Sequence, residues 1–321
     1  MDTVLVATPL RSAMQAESLP SDLAIREIKP ILWDLAAKPA PFSEEERNLL
    51  STTHYWLAAS KTVENWALDA NDQSLYDKVH RAMYAWQILW PSSSVHVYVK
   101  FRETPEGFDP IGYVHFPKLT VPFVAGTMNR DEDQLKTDFP AILEGVNRAF
   151  DSCIVRLQNP ILLLEHGLQT NNVYMSMLMW VMGLDVLLMA GNIGPFIDRL
   201  EGFLGRTAYV FPPVYSPARQ PRLTVAELAR DVYELRNKIA HGAEIPKNPF
   251  RLEHMLEDTK GLQVNWETNV YAMTLQNAAL FLLTGCLRKI FLSHLTDDVG
   301  NERTWKTNLK AFEGLARSRR K

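Results

Sequence analysis

The sequence predicts a mainly α-helical protein, in which a helical bundle over residues 136–321 follows a smaller N-terminal α+β domain over residues 1–135. Three observations support this fold class. From residue 140 onward, apolar side chains recur at helical spacing through successive segments. Residues 94–101 instead alternate apolar and polar side chains, as a strand does. A length of 321 residues, 46% of them hydrophobic, suits one or two domains with a substantial core.

The N-terminal domain combines strand and helix patterns. Its strands are expected at 3–9, 94–101 and 111–124, the last of them interrupted by prolines. Its helices are expected at 20–39, 43–68 and 74–90. A polar, charged stretch at 128–137 marks the end of this domain.

The C-terminal domain is expected to consist of helices joined by short connections and one long one. The predicted helices are 141–158, 161–168, 172–190, 195–205, 225–241 and 268–294. The proline-rich stretch 206–223, which contains Arg206, Arg219 and Arg222, is interpreted as a long irregular loop, and such loops are often functional. The basic end of the chain, 316–321, is interpreted as solvated and disordered.

Composition restricts the function classes. A net charge of −3 argues against a protein that coats nucleic acid non-specifically, although it permits a local basic site. Cys153 and Cys286 are too few for a disulfide framework and lack metal-ligand spacing, which indicates a reducing compartment. The chain contains no HExxH, P-loop or GxGxxG motif. We therefore expect a cytoplasmic protein without a signal peptide, cofactor or metal.

The most specific local signals define a helix over 225–241. Thr224 followed by Glu227 has the spacing of a capping box, and Gly242 with Pro246 predicts that the helix ends at about His241. Apolar residues recur along this segment and occupy one arc of about 120° on the helix. They are Val225, Leu228, Ala229, Val232, Leu235 and Ile239.

Arg236 projects into this apolar arc, and His241 falls at the helix end. A guanidinium cannot lose its proton there and needs an acceptor or an anion nearby. Imidazole titrates near neutral pH, and Asn237 shares a face with His241. A fixed cation beside such a group suits phosphodiester cleavage. The same residues are also explained by a core ion pair and by an ordinary cation at a helix C-terminus.

The helix at 172–190 is hydrophobic on all sides, so we interpret it as a buried core helix rather than a membrane span. Asp185 lies within it. A buried carboxylate must be paired or neutralised. The sequence therefore predicts that Asp185 contacts Arg236 through a charge-assisted hydrogen bond.

The string LRNKIAHG at 235–242 resembles the motif of the HEPN superfamily, in particular its ApeA-like branch. That motif is Arg, a polar residue, a short gap and His, which Arg236, Asn237 and His241 match position by position. The family also places an apolar helix with one acidic residue about fifty residues upstream, where this chain has Asp185 in place of the usual Glu. The resemblance covers roughly 136–321 and implies a HEPN-type helical bundle for the C-terminal domain.

The resemblance implies a metal-independent endoribonuclease. His241 would act as general base or acid, and Arg236 would hold the scissile phosphate. Asn237 would orient phosphate or imidazole, and Asp185 would fix Arg236. Attack by the ribose 2′-hydroxyl would leave 2′,3′-cyclic phosphate and 5′-hydroxyl ends. Such domains often belong to toxins or antiviral defence systems.

The expected partners are RNA and a second copy of the chain. Arg236 and His241 are offset by about 140° on a regular helix, which favours a homodimer through the motif helices. The N-terminal domain would be a sensor or the docking surface of a regulatory protein. Further substrate contacts are assigned to Lys238, Tyr233, Arg219 and Arg222.

Two other interpretations remain open. The chain could be a non-catalytic HEPN module that mediates interaction or binds a nucleotide within a larger defence assembly. It could also be a purely structural helical domain whose arginine and histidine carry no chemistry. Cleavage of RNA in EDTA, lost on replacement of His241, separates the first interpretation from these two.

Overall fold

The computed structural model describes residues 2–9, 23–28, 55–63, 73–89, 97–105, 107–115, 132–170, 172–209, 222–242 and 275–320. The described residues are mainly helical. The chain divides into two compact units. The first takes in Met1–Gln87, Ser93–Leu119 and Glu132–Leu143, and the second takes in Ile88–Ser92, Thr120–Asp131 and Glu144–Lys321.

The first unit contains a five-stranded antiparallel sheet with the order β2-β3-β1-β4-β5. The strands are β1 (Asp2–Pro9), β2 (Leu23–Glu27), β3 (Tyr55–Val63), β4 (Val97–Thr104) and β5 (Gly107–His115). One hydrophobic cluster includes Trp56 on β3 and Phe101 on β4, whose rings meet edge to face at 5.4 Å between centroids. Helix α1 (Gln73–Leu89) brings His80 against Tyr98, with ring centroids 5.6 Å apart.

The sequence interpretation of this unit was partly wrong. The helices predicted at 20–39 and 43–68 are replaced, within the described residues, by strands β2 and β3. Four consecutive residues of β3, Trp56 to Ala59, are buried, so the strand shows an apolar run instead of alternation. Such a run cannot be distinguished from a buried helix by periodicity alone.

The other predicted elements of this unit are confirmed where they are described. The helix expected at 74–90 is α1, and the strands expected at 3–9 and 94–101 are β1 and β4. The strand expected at 111–124 corresponds to β5, which begins earlier; residues 116–124 lie outside the described residues. The polar stretch 128–137, predicted to mark the end of the domain, is helical from Glu132 onward; residues 128–131 lie outside the described residues.

Helices make up most of the described part of the second unit. They are α2 (Glu132–Asp151, whose first half belongs to the first unit), α3 (Val155–Gln169), α4 (Val173–Leu188), α5 (Ile193–Leu204), α6 (Val225–Ala240), α7 (Leu275–Leu292), α8 (Thr296–Gly300) and α9 (Glu302–Arg320). A two-stranded ladder, β6 (Thr207–Tyr209) with β7 (Arg222–Thr224), precedes α6. The prediction of an irregular loop over 206–223 is therefore wrong at both ends of that stretch, where these two strands lie.

Helices α3 and α4 pack closely. Gly167 on α3 leaves room for the indole of Trp180 on α4, whose Nε1 donates to the carbonyl of Leu164 at 3.1 Å. Helix α4 was predicted to be buried on all sides, but Met175 and Met182 are 40% and 43% exposed. Packing against α3 and α7 buries one face of the helix and leaves a methionine-bearing strip at the surface.

The break between the first two helices lies at 152–154, earlier than predicted. Cys153 adopts a left-handed φ of 51°, and Ile154 N donates to the carbonyl of Ala149 at 2.9 Å, which is a Schellman-type ending. Because a cysteine occupies the position where glycine is usual, no residue type marks the helix end here. The predicted gap between the helices 141–158 and 161–168 falls inside α3, which includes Pro160.

The described part of the basic end, residues 316–320, is helical, contrary to the prediction of disorder. Helix α9 continues to Arg320, and its last turn is ion-paired to α5. Arg320 Nη1 donates to Asp198 at 2.8 Å, and Arg317 Nε donates to the same carboxylate at 3.0 Å. Arg320 Nε donates to the buried carboxylate of Glu201 at 2.7 Å. These arginines are therefore engaged within the chain.

Within the described ranges, no single helix combines the length and apolarity needed to cross a membrane. The pair Tyr174–Leu188 and Ile193–Leu204 meets these criteria only when taken together, across a bend of 78°.

Candidate functional site

Helix α6 begins and ends where its local signals predict. Glu227 N donates to Thr224 Oγ1 at 3.2 Å, and Thr224 N donates to the Glu227 carboxylate at 2.7 Å, which completes the capping box. At the other end, His241 is the C-cap and Gly242 adopts a left-handed φ of 64°. This glycine tolerates the conformation without a side-chain clash, so the helix stops beside the histidine.

The apolar face of α6 packs against α5, α7 and α4. Its buried residues are Val225, Leu228, Ala229, Val232, Tyr233 and Leu235. Arg236 lies at the edge of this face rather than fully inside it, since its side chain is 27% exposed. The interpretation of a dry environment for the guanidinium therefore holds only in part, and the exposed part is open to a ligand.

Asp185 and Arg236 form the predicted pair. Oδ2 of Asp185 on α4 lies 3.2 Å from Nη2 of Arg236 on α6, and the Asp185 side chain is 21% exposed. The two residues are far apart in the sequence, and contact between α4 and α6 brings them together. The predicted contact is confirmed as an ion pair.

Two more groups fix the guanidinium. Nη1 of Arg236 donates to Oδ1 of Asn237 at 2.9 Å, and the ring centroid of Tyr233 lies 5.4 Å from the guanidinium carbon. A guanidinium offers five N–H donors, and these contacts use only part of them. Among the described residues, Nε of Arg236 and Oδ1 of Asp185 are buried without hydrogen-bond partners. The site thus retains polar capacity beyond its internal pair.

Burial raises the pKa of the Asp185 carboxyl above its ordinary value, and the positive charge of Arg236 opposes this rise. Desolvation is the larger of the two effects. Burial therefore disfavours the ionised form of Asp185, while Arg236 favours it. Opposing effects of this kind on a carboxyl pKa are common at functional sites.

His241 is exposed at the end of α6. Its backbone N–H donates to the carbonyl of Asn237 at 3.0 Å, which holds the terminal turn. Within the described ranges, its imidazole makes no hydrogen bond or ion pair, including with Arg236. Within one chain, Arg236 and His241 therefore lie on the same helix without a hydrogen bond or ion pair between them.

The predicted substrate contacts divide into three groups. Lys238 is exposed on α6 and free to meet a ligand. Tyr233 is only 5% exposed, and its ring contacts that of Phe196 in a tilted arrangement with centroids 4.9 Å apart, so its side chain lies in the core. Arg222 lies on β7, and Arg219 lies outside the described residues.

One residue near the site had no signal in the sequence. Arg199 on α5 donates from Nη1 to the carbonyls of Leu188 and Met189, each at 2.7 Å, at the end of the helix that carries Asp185. Only the turn between α4 and α5 creates this contact. A basic residue about ten positions after an apolar helix is too common to have predicted it.

The pH dependence of the free energy of unfolding should reveal the raised pKa of the Asp185 carboxyl. Because the folded pKa of Asp185 lies above the ordinary value of 3.8, the folded state holds this proton at pH values where the unfolded state has lost it. The contribution of Asp185 to the free energy of unfolding is therefore greatest at low pH and is lost as pH rises through the folded pKa. Urea unfolding from about pH 4 to pH 7 should show wild type gaining stability relative to Asp185→Asn as pH falls. A gain with rising pH would mean that Arg236 outweighs burial.

The described residues include no group of three or more His, Cys, Asp or Glu side chains arranged to hold a metal ion. No family model, curated protein or solved structure matches this chain. The site is therefore interpreted from its own geometry and from the motif at 235–242.

Proposed function

We propose that this chain is a metal-independent endoribonuclease of the HEPN type. The observation that carries the proposal is the Asp185–Arg236 ion pair, whose arginine lies on the same helix as an exposed histidine five residues further along, at the helix end. A paired, half-buried arginine with unused donors is suited to bind a phosphate. The exposed imidazole of His241 is suited to transfer a proton.

Each residue receives a role from its position. Arg236 binds the scissile phosphate and offsets the charge that grows on its non-bridging oxygens. Asp185 and Asn237 hold the guanidinium in place through their contacts at 3.2 and 2.9 Å. His241 accepts the proton of the ribose 2′-hydroxyl or donates one to the leaving 5′-oxygen. The products carry 2′,3′-cyclic phosphate and 5′-hydroxyl ends.

The separation of Arg236 from His241 supports a dimeric site. The two residues are five positions apart, which turns them about 140° from each other on a helix. A second copy related by a two-fold axis would bring the imidazole of one α6 to the guanidinium of the other, in an isologous contact. The homodimer through the motif helices is thus part of the proposal.

A role as a toxin or antiviral-defence effector follows from analogy with the HEPN family alone. In that role, the first unit would receive a trigger or a regulatory protein partner. Cleavage would be restrained until the trigger arrives. The test for nuclease activity must therefore include conditions that could supply the trigger, such as co-expression or total cell extract.

Purified protein incubated with total RNA in EDTA tests the proposal. RNA should be cut, the ends should be 2′,3′-cyclic phosphates, and a DNA oligonucleotide of the same sequence should survive, because only RNA has the attacking hydroxyl. Arg236→Ala and Asp185→Ala should give folded proteins without cleavage.

Three results would contradict the proposed nuclease. Loss of folding in both alanine variants would favour a structural ion pair. Absence of cleavage under every activating condition, together with tight co-purification of another protein, would favour the non-catalytic module. Cleavage that persists in Arg236→Ala at wild-type rate would remove the proposed site.

A further inference from the structure

The last turn of α4 is completed by groups from outside the helix. The final carbonyls of any α-helix lack intrahelical donors. Here the helix ends at Met189, whose left-handed φ of 50° is uncommon for a residue with a side chain. Its N–H donates to the carbonyl of Asp185 at 2.8 Å, so the capping residue is bonded directly to the backbone of the site carboxylate.

Three successive carbonyls at this end accept side-chain donors. The indole Nε1 of Trp305 on α9 donates to Leu187 at 2.6 Å. Nη1 of Arg199 donates to Leu188 and Met189, each at 2.7 Å. The end of α4 is therefore closed by one residue of α5 and one of α9.

Arg199 is itself oriented by α9. Its Nε donates to Oε1 of Glu313 at 2.6 Å, and both side chains are largely buried. A charge-assisted bond at one edge of the planar guanidinium fixes the direction of the other edge. Glu313 thus determines where Arg199 presents its Nη1 donor.

Helix α9 is in turn anchored on α5. Beyond the bonds of Arg317 and Arg320 to Asp198 and Glu201, the two helices approach closely where Gly202 faces the backbone of Phe312. The position of α9 is consequently defined along its C-terminal half, and with it the positions of the groups that cap α4.

We propose that Arg199, Trp305 and Glu313 are positioning residues that hold the last turn of α4 so that Asp185 meets Arg236. The cap and the carboxylate belong to the same turn, so fraying of that turn displaces Asp185. The catalytic consequence rests on the proposed ribonuclease function; the structural consequence does not.

Two conservative variants test the positioning role. Trp305→Phe removes the N–H donor but keeps an aromatic ring against Phe203, and Arg199→Lys replaces a planar fork by a single ammonium group. Lys306→Gln, which removes an exposed α9 cation paired with Glu302, is the matched control. The readouts are hydrogen exchange at the Met189 amide, the pKa of the Asp185 carboxyl by NMR, and RNA cleavage.

In both variants, the Met189 amide should exchange roughly five- to thirtyfold faster relative to amides of α3, as expected for a lost buried hydrogen bond. The pKa of Asp185 should fall toward its ordinary value, because burial is the main cause that raises it. The kcat for RNA should decrease with little change in KM, and Lys306→Gln should match wild type throughout.

Unchanged exchange and an unchanged Asp185 pKa in both variants would overturn the positioning role, whatever the cleavage rates. A wild-type protein that cuts no RNA would contradict the proposed function alone. Exchange at Met189 and the pKa of Asp185 would then still decide whether these three residues hold the turn.

Discussion

His241→Ala should cleave RNA about 10²- to 10⁴-fold more slowly than wild type, the range expected when a general acid or base is removed. Its fold should persist, because the side chain is exposed and its imidazole makes no hydrogen bond within the described ranges. The backbone bond from residue 241 to Asn237 survives the change. The stability cost should not exceed the roughly 0.3–1 kcal/mol of a cation near a helix C-terminus.

The measurement is a single-turnover rate on labelled RNA in EDTA, with binding to a fully 2′-deoxy analogue as a separate readout. The rate should fall while binding is retained. His166→Ala, which removes an exposed histidine from the last turn of α3, is the matched control and should cleave normally. Normal cleavage by His241→Ala would remove the histidine from the mechanism.

Mixing the inactive His241→Ala and Arg236→Ala proteins extends this experiment to the dimer. A mixed dimer retains one intact histidine and one intact arginine on opposite chains. Recovered cleavage would show that the two groups act across subunits.

Gly202→Ala should be among the most destabilising single changes in the second unit. A Cβ at this position falls 2.9 Å from Cα of Phe312 and closer still to its carbonyl oxygen. Backbone cannot move aside as a flexible side chain can, so α5 and α9 must separate. We expect a loss of about 3 kcal/mol in the free energy of unfolding, the upper part of the range for overpacking.

Gly314→Ala is the control for Gly202→Ala, since Gly314 also lies within a helix but has open space around its Cβ direction. It should raise the free energy of unfolding by about 0.5–1 kcal/mol through helix propensity. Urea denaturation of both variants should therefore give effects of opposite sign. Equal stability of Gly202→Ala and wild type would mean that the two helices do not meet as closely as described.

Local signals predicted the motif helix well. The capping box at Thr224 and the glycine at 242 act on neighbouring backbone groups, so sequence spacing is enough to define both helix ends. The Asp185–Arg236 contact was also predictable, although it joins distant segments. A carboxylate in an apolar helix and a guanidinium on another apolar face each need an opposite charge, and each of these two residues supplies the charge that the other needs.

Contacts that depend on packing were not predictable. Strand β3 was interpreted as helix because residues on both of its faces are buried, which removes the alternation typical of a strand. The basic end of the chain was interpreted as disordered, because nothing near it in the sequence supplies the carboxylates of Asp198 and Glu201.

The sequence by itself determined the limits of helix α6, the residues that it presents, and the requirement that its arginine find an acid. Hydrogen bonds within one turn and the cost of burying an unpaired charge impose these features on any fold of this chain. Only the tertiary structure decided how far Arg236 reaches the surface, that Tyr233 lies in the core, and that α9 closes the turn that carries Asp185. These outcomes depend on which helices pack together, and that arrangement is set by the summed burial of many side chains rather than by any single motif.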